Sequence, residues 1–351
     1  MPGSRHVNVA LHPARGMPAR RGRTMRQRSF LILLILAVAT FGAALWWMNR
    51  DTGGQVPDAA EPVTRAEAEA GPETEAAEHD PALWSISDAD STVYLFGTVH
   101  ILPPELDWYS DEVRAAFGEA DTLYLEVDAL SPQAQAEMQS MIPQIGMLPA
   151  GERLTAKLSE EALAHLERIA ERLGMPGEAL KAAIDPFMPW LASLQLAVAQ
   201  MQAAGYDPQS GVEQVLTAEA GEAGMAFGYF ETVEEQLAFL SSMPMEVQLA
   251  DFETGLEQMV ENPDMLDDLV AAWTQGDMER LDAIMNEELR ESTPEAYEVL
   301  IVQRNRNWVP QIAGILEGSG TAFVAVGAGH MPGEDGVINL LREQGLEVTR
   351  H

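Results

Sequence analysis

TAFVAVGAGH, residues 321–330, decides the fold. The stretch TAFVAV is a strong strand, and it runs into Gly327-Ala328-Gly329-His330. Near the other end of the chain, TVYLFGTVH (residues 92–100) does the same, with Gly97-Thr98-Val99-His100 after the strand. A glycine placed there permits a sharp turn and leaves room beside it for a ligand. The histidine three residues on then stands just past the strand's carboxyl end, the edge where open α/β sheets bind ligands.

Working outward, Leu83–Ile86 and Thr92–Phe96 are short apolar runs separated by the turn-like SDADS and read as a hairpin. LYLEV (123–127) and AFGYF (226–230, interrupted by Gly228) are two further strands, and Leu346–Thr349 reads as a last edge strand. From Ser131 to Trp308 periodic Leu, Ala and Met positions predict helices, with starts at Ser159, Pro176 and Thr232. The fold class is therefore α/β: a mixed, largely parallel sheet with a large helical insertion, preceded by one transmembrane helix.

Two more strands place acids at the same edge. LYLE ends at Glu126, followed by Asp128, and GYFE ends at Glu231. Of the seven histidines, His6 and His12 lie in a basic arm, His79 in a spacer, and His351 is the final residue. His165, in the polar helix EEALAHLERIAERL, reads as a solvated or half-buried face residue. That leaves His100 and His330. Two imidazoles with one or two carboxylates suit zinc, manganese, cobalt or ferrous iron, and without metal they suit a His/Glu acid–base pair. Arg304, Asn305, Arg306 and Trp308 belong to a helix entering the last long strand. Arg304 is either a surface residue or a group reaching in to bind an anion. The methionines at 138, 141, 147, 243, 245, 259 and 265 read as gap-fillers between helices. No phosphate loop, serine nucleophile elbow, CxxC or HExxH occurs, which removes the usual support for those enzyme classes.

The blocks GTVHILP, LYLEVD, GVEQVL followed by FETVEEQL, RNRNW and FVAVGAGHMPGEDGVINLLREQGLEV resemble, in order and spacing, those of the TraB/GumN/Tiki family, from about Leu83 to Thr349. The resemblance implies an α/β domain of pseudo-repeated halves. It also implies a polar site built from both GxxH histidines and a glutamate on the strand after the first. Animal Tiki members are described as divalent-metal-dependent proteases, and bacterial members are linked to pheromone shutdown or exopolysaccharide gene clusters. Carried over by position, the metal set is His100, Glu126 and His330, with Glu126, Glu231 and Arg304 as the catalytic set. The chain departs from the pattern at Gly211-Val212-Glu213, where relatives more often carry Asp, and this puts a role for Glu213 in doubt. The expected function is a metal-dependent hydrolase, with protease as the specific form, acting on a peptide or other small substrate. The other class is a non-catalytic binding or regulatory protein holding a peptide, haem or metal in the same cleft.

The first fifty residues are of a different physical kind. They hold eight of the chain's 21 Lys+Arg and no acid, which leaves 13 against 55 Asp+Glu, a formal charge of −42, for the remainder. That charge argues against nucleic-acid partners. With no cysteine, neither disulfides nor a lipoprotein anchor are available. FLILLILAVATFGAALWWM (30–48) is uncharged over nineteen residues; as a helix it rises about 28 Å, enough to span a bilayer core. Residues 1–29 are then a basic cytoplasmic arm, 30–48 a transmembrane anchor, 49–80 a disordered acidic linker, and 81–351 the α/β domain. A cleaved signal peptide is the other reading of the apolar run, and Met25 is a second candidate start. Seven arginines before the span and one after it place the N-terminus in the cytoplasm and the domain in the periplasm, tethered to the inner membrane. A secretion-dependent reporter fused after Arg50 is expected to be active and a cytoplasm-dependent one silent; the reverse pattern refutes this topology.

Overall fold

The computed structural model describes residues 79–351. The expected basic arm and anchor, and nearly all of the linker, lie outside the described residues. Among the described residues no helix is long and apolar enough to cross a membrane.

The described residues hold six strands, β1 (Leu83–Ser87), β2 (Ser91–Thr98), β3 (Thr122–Leu125), β4 (Ala226–Tyr229), β5 (Gly320–Gly327) and β6 (Thr349–Arg350). They form one sheet in the order β4-β3-β5-β2-β1-β6. β4, β3, β5 and β2 run parallel, and β1 turns back antiparallel on β2 as the expected hairpin. Because Thr98 pairs with Gly327, and Leu125 with both Ala325 and Tyr229, the carboxyl ends of the four parallel strands lie side by side.

Helices fill the connections. α1 (Asp111–Gly118) links β2 to β3. The insertion between β3 and β4 carries α2 (Pro132–Ile145), α3 (Glu160–Arg172), α4 (Gly177–Ile184), α5 (Pro189–Ala203) and α6 (Val212–Ala223). After β4 come α7 (Val233–Ser241), α8 (Met245–Glu261), α9 (Met265–Thr274), α10 (Met278–Asp282), α11 (Glu288–Ser292), α12 (Pro294–Tyr297) and α13 (Gln303–Leu316). α14 (Val337–Glu343) follows β5. The starts expected at Ser159 and Thr232 are caps: each side chain accepts an N–H of its first turn, and Glu235 completes a capping box with Thr232.

Strand alternation splits the core in two. Leu83, Phe96, Leu123, Leu125, Phe323 and Ala325 face the insertion helices, whereas Trp84, Ile86, Leu95, Val324 and Val326 pack with Trp308 of α13 and Leu341 of α14. The result is a sheet covered on both faces, as parallel sheets require. His165, expected on a solvated or half-buried face, is buried on α3. The last strand is shorter than Leu346–Thr349: Gly345 turns at φ 85°, Leu346 N–H returns to Leu341 of α14, and pairing with β1 begins only at Thr349.

Two glycines build the edge that matters. A Cβ on Gly97 would lie 3.0 Å from Ala328 Cα, so the space beside this glycine holds the neighbouring strand's loop and not the expected ligand. A Cβ on Gly211 would lie 2.0 Å from the His100 carbonyl oxygen. Here the backbone ahead of α6 runs against the loop after β2, with Val212 N–H bonded to Val99 O (3.0 Å) and Asp207 N–H to Leu102 O (2.9 Å). Gly211→Ala is expected to lose about 1–3 kcal/mol of stability, the usual cost of forcing extra volume into a packed site. Gly221→Ala, on an exposed turn of α6 with nothing within 4 Å, is expected to gain about 0.5–1 kcal/mol from helix propensity. Urea titration of both checks the difference; equal effects refute the close-approach role of Gly211.

Candidate functional site

Past the carboxyl end of each parallel strand stands one chemically capable side chain: His100 after β2, Glu126 after β3, Glu231 after β4 and His330 after β5. Arg304 comes from α13, just after a π turn at Glu298–Val302. Successive residues there point inward together: Arg304 is 4% exposed, Asn305 and Trp308 not at all. The structure sorts these residues into a buried hub and a wall of an open pocket.

Arg304 is the centre of the hub. Its Nε donates to Glu231 Oε1 (2.7 Å). One terminal nitrogen donates to Glu231 Oε2 (2.9 Å) and Glu126 Oε2 (2.5 Å). The other reaches His330 Nε2 (3.1 Å) and Leu300 O (3.4 Å). All five N–H bonds of the guanidinium thus meet protein acceptors. Glu231 also accepts from Trp308 Nε1 (3.0 Å) and Gln236 Nε2 (2.9 Å), and Glu126 from Gly327 N–H (2.7 Å). Trp308 lies under both His330 (ring centroids 4.4 Å apart) and the guanidinium (4.8 Å).

Hydrogen-bond bookkeeping assigns the His330 tautomer. Asn305 Nδ2 donates to His330 O and Asp335 O, so its Oδ1 is the atom facing His330 Nδ1 at 2.7 Å. Nδ1 therefore carries the proton, and Nε2 accepts from Arg304. Burial and the Arg304 charge push His330 down to about 3, against Glu126, so the ring is neutral. Burial raises the Glu126 carboxyl, but Arg304, then the His330 and His100 rings and the Gly327 N–H, outweigh it and hold it at about 2. Burial pushes the Glu231 carboxyl up, with Glu126 adding to the shift against Arg304. Four N–H donors on its oxygens nevertheless leave no acceptor for a carboxyl proton, and the ionised form fits this geometry.

His100 lies on the open side. Its Nδ1 is 2.5 Å from Glu213 Oε1, although the approach is off the line of a hydrogen bond and is best described as a charge contact. Thr98 Oγ1 donates to the same carboxylate oxygen. Burial lowers His100, but Glu213 and then Glu126 push it up further, and the net shift is upward. A cavity of about 290 Å³ opens here, walled by His100, Glu126, Glu213, Asp128, Phe227 and Tyr229 among others. Glu231, Arg304 and His330 do not line it.

The metal set expected from the resemblance, His100, Glu126 and His330, does not fit a metal in this arrangement. Both ring nitrogens of His330 and both oxygens of Glu126 already have protein partners, and the Arg304 cation lies against both residues. Among the described residues no group of three or more His, Cys, Asp or Glu side chains is placed to hold an ion. Nor is Arg304 a surface residue or a free anion receptor. Asn305, Gln236 and Thr98 join the site although residue type alone does not assign them to it, and Glu213, a departure from the family pattern, contacts His100. The available signals were RNRNW, where i, i+1 and i+4 turn inward together, and the position of Thr98 two residues before His100.

The family model of the TraB/PrgY/gumN family matches residues 82–350, and the chain belongs to that family. It is 24% identical over 249 residues to the uncharacterized protein YbaP of Escherichia coli (strain K12), covering 71% of this chain and 87% of YbaP. It is also similar to Metalloprotease TIKI1 of Danio rerio, 26% identical over 314 residues, covering 76% of this chain and 62% of that protein. An uncharacterized protein of Treponema pallidum (strain Nichols) matches at 24% over 277 residues, 75% of this chain and 80% of its own. The chain thus spans under two thirds of the length of the zebrafish metalloprotease.

The hub carries a pH signature. His330, held below its ordinary value of 6.5, is neutral when folded but takes a proton when unfolded, so its contribution declines as pH falls from 6.5 towards 3. Glu126, held at about 2 instead of 4.5, adds a second loss as pH falls through that lower window. Both signs agree: stability drops on acidification. His330→Gln is expected to flatten the part between pH 6.5 and 4.5, as read by urea midpoints. An unchanged slope refutes a buried neutral His330.

Proposed function

We propose that this member of the TraB/PrgY/gumN family is a hydrolase in which His100, held by Glu213, acts as a general base on water at a substrate carbonyl in the pocket. The observation that carries the reading is the cavity of about 290 Å³ with His100, Glu126 and Glu213 in one wall. The Tiki relatives, named metalloproteases, support hydrolysis as the reaction class.

Facing Glu213 with Nδ1, the His100 ring presents Nε2 as its basic nitrogen. Nε2 takes a proton from water as the water oxygen bonds to the carbonyl carbon; the proton then passes to the leaving nitrogen or oxygen as its bond to carbon breaks. Glu213 orients the ring and, with Glu126, stabilises the imidazolium formed on the way. The Glu126 charge is itself secured from behind by Arg304 and the Gly327 N–H. Arg304 and Glu231 do not line this pocket, so they are positioning residues. Because the residues present do not assemble as a metal set, no step here runs through an ion.

The test is hydrolysis of a panel of short peptides and small acyl esters by the full-length chain. His100→Ala is expected to lose about 10²–10⁴ in rate. The base works deprotonated, so kcat/KM falls as pH drops through the His100 pKa, raised above 6.5. Glu213→Gln removes the charge that raises it, and the acid limb moves to lower pH. Activity that survives His100→Ala but vanishes with a chelator overturns the reading in favour of a metal route. Peptide binding without turnover favours the non-catalytic one.

A further inference from the structure

β4 is an edge strand of a kind proteins usually protect. Among the described residues it pairs only with β3. In a parallel ladder alternate residues bond to the same neighbour. Ala226 N–H bonds to Asp121 O (3.0 Å) and Phe230 N–H to Leu125 O (3.2 Å), so the even-numbered residues face β3. The N–H and C=O groups of Phe227 and Tyr229 therefore point away from the sheet, and no described residue accepts or donates to them. The two residues are 37% and 39% exposed, among the few large apolar residues at the surface within the described residues. On the opposite face, Gly228 leaves room for the Tyr124 ring, where a Cβ would lie 2.3 Å from it. The open edge and the aromatic pair are thus on the pocket side, and Phe227 and Tyr229 form part of the pocket wall beside Glu126 and His100.

Those outward backbone groups specify an extended main chain as occupant, because only a strand presents donors and acceptors at their spacing. Charge then selects among strands. Three carboxylates, Glu126, Asp128 and Glu213, and one imidazole line the pocket; with Arg304 and Glu231 behind the wall, four carboxylates face at most two cationic groups. Ile101, Leu125, Val127 and Leu130 supply apolar walls. An apolar shaft with an acidic lining matches a Lys or Arg side chain, which buries its methylenes and keeps its charge near carboxylates.

We propose that the free edge of β4 binds an extended cationic peptide as a seventh strand, with a basic side chain dropping into the pocket beside His100. This deepens the hydrolase reading by naming its substrate class and rests on it for the peptide's fate, whereas binding is measured apart from turnover.

The probe is a fluorescein-labelled, end-blocked hexapeptide alternating valine and threonine with one central lysine, titrated against the full-length chain by anisotropy. Single N-methylation along it is expected to weaken binding about tenfold at every second amide, the loss of one hydrogen bond, and little at the amides between. Replacing the lysine by glutamate is expected to weaken binding about tenfold or more. Phe227→Pro removes an outward N–H that the β3 ladder does not use, which edge strands tolerate. It should bind about tenfold more weakly than Phe227→Ala, with both variants melting alike. A flat N-methylation profile, equal binding of the lysine and glutamate peptides, no binding up to millimolar peptide, or dimerisation through β4 in place of peptide binding each overturns the proposal. An alternating profile without cleavage sinks the hydrolase reading alone; ester turnover with a flat profile sinks this inference alone.

Discussion

The site depends on a single guanidinium. Arg304 sits at 4% exposure with two carboxylates and an imidazole around it, and each would be expensive to bury alone. An unpaired buried charge costs several kcal/mol, whereas a fully hydrogen-bonded one is tolerated. The ends of β3, β4 and β5 can come together with polar side chains inward because one cation supplies five donors in a fixed planar fork. Remove it and Glu126 and Glu231, which share one of its nitrogens, repel each other. Lysine would not replace it: a point charge with three donors cannot satisfy the five acceptor contacts that the planar fork meets.

The outer pair depends on close backbone approach instead of charge. His100 and Glu213 are 113 positions apart, and they meet because Gly211 lets the start of α6 lie against the His100 carbonyl. The backbone bonds from Val212 to Val99 and from Asp207 to Leu102 fix that approach. The Glu213 carboxylate thereby comes within reach of both His100 and Thr98. The two halves of the site are joined through Glu126, whose one oxygen receives Arg304 and whose side chain also walls the pocket.

Much of this was legible in the sequence, and what was not has a physical reason. Strands such as TAFVAV and TVYLF announce themselves because burial on both faces demands continuous apolar residues. Their shared Gly-x-x-His endings located the edge where His100 and His330 stand. What those histidines do there depends on distances between remote segments, which residue types do not encode. His330 reads as a ligand until Asn305 and Arg304 are seen to occupy both its nitrogens. Arg304 itself was ambiguous, since an arginine on a polar helix face usually remains in water, and the π turn at Glu298–Val302 alters the helical count by which its facing is judged. The open edge of β4 was hidden for a related reason: AFGYF shows a strand but not whether a neighbour covers it.

A buried ion-pair network is a poor device for stability, because apolar residues of similar volume often do as well or better. Its presence beside a pocket therefore calls for another explanation, and the direction of the shifts supplies one. With Arg304 in place Glu126 stays ionised far below neutrality while His330 stays neutral. Glu126 is thereby negative throughout the range in which His100 gains or loses its proton. His100, whose pKa Glu213 and Glu126 raise against burial, then changes state beside a Glu126 charge that Arg304 keeps in place. A hub that only filled space would not need that constancy. Under the hydrolase reading proposed above, that constancy lets His100 cycle between its two forms without Glu126 titrating in step with it.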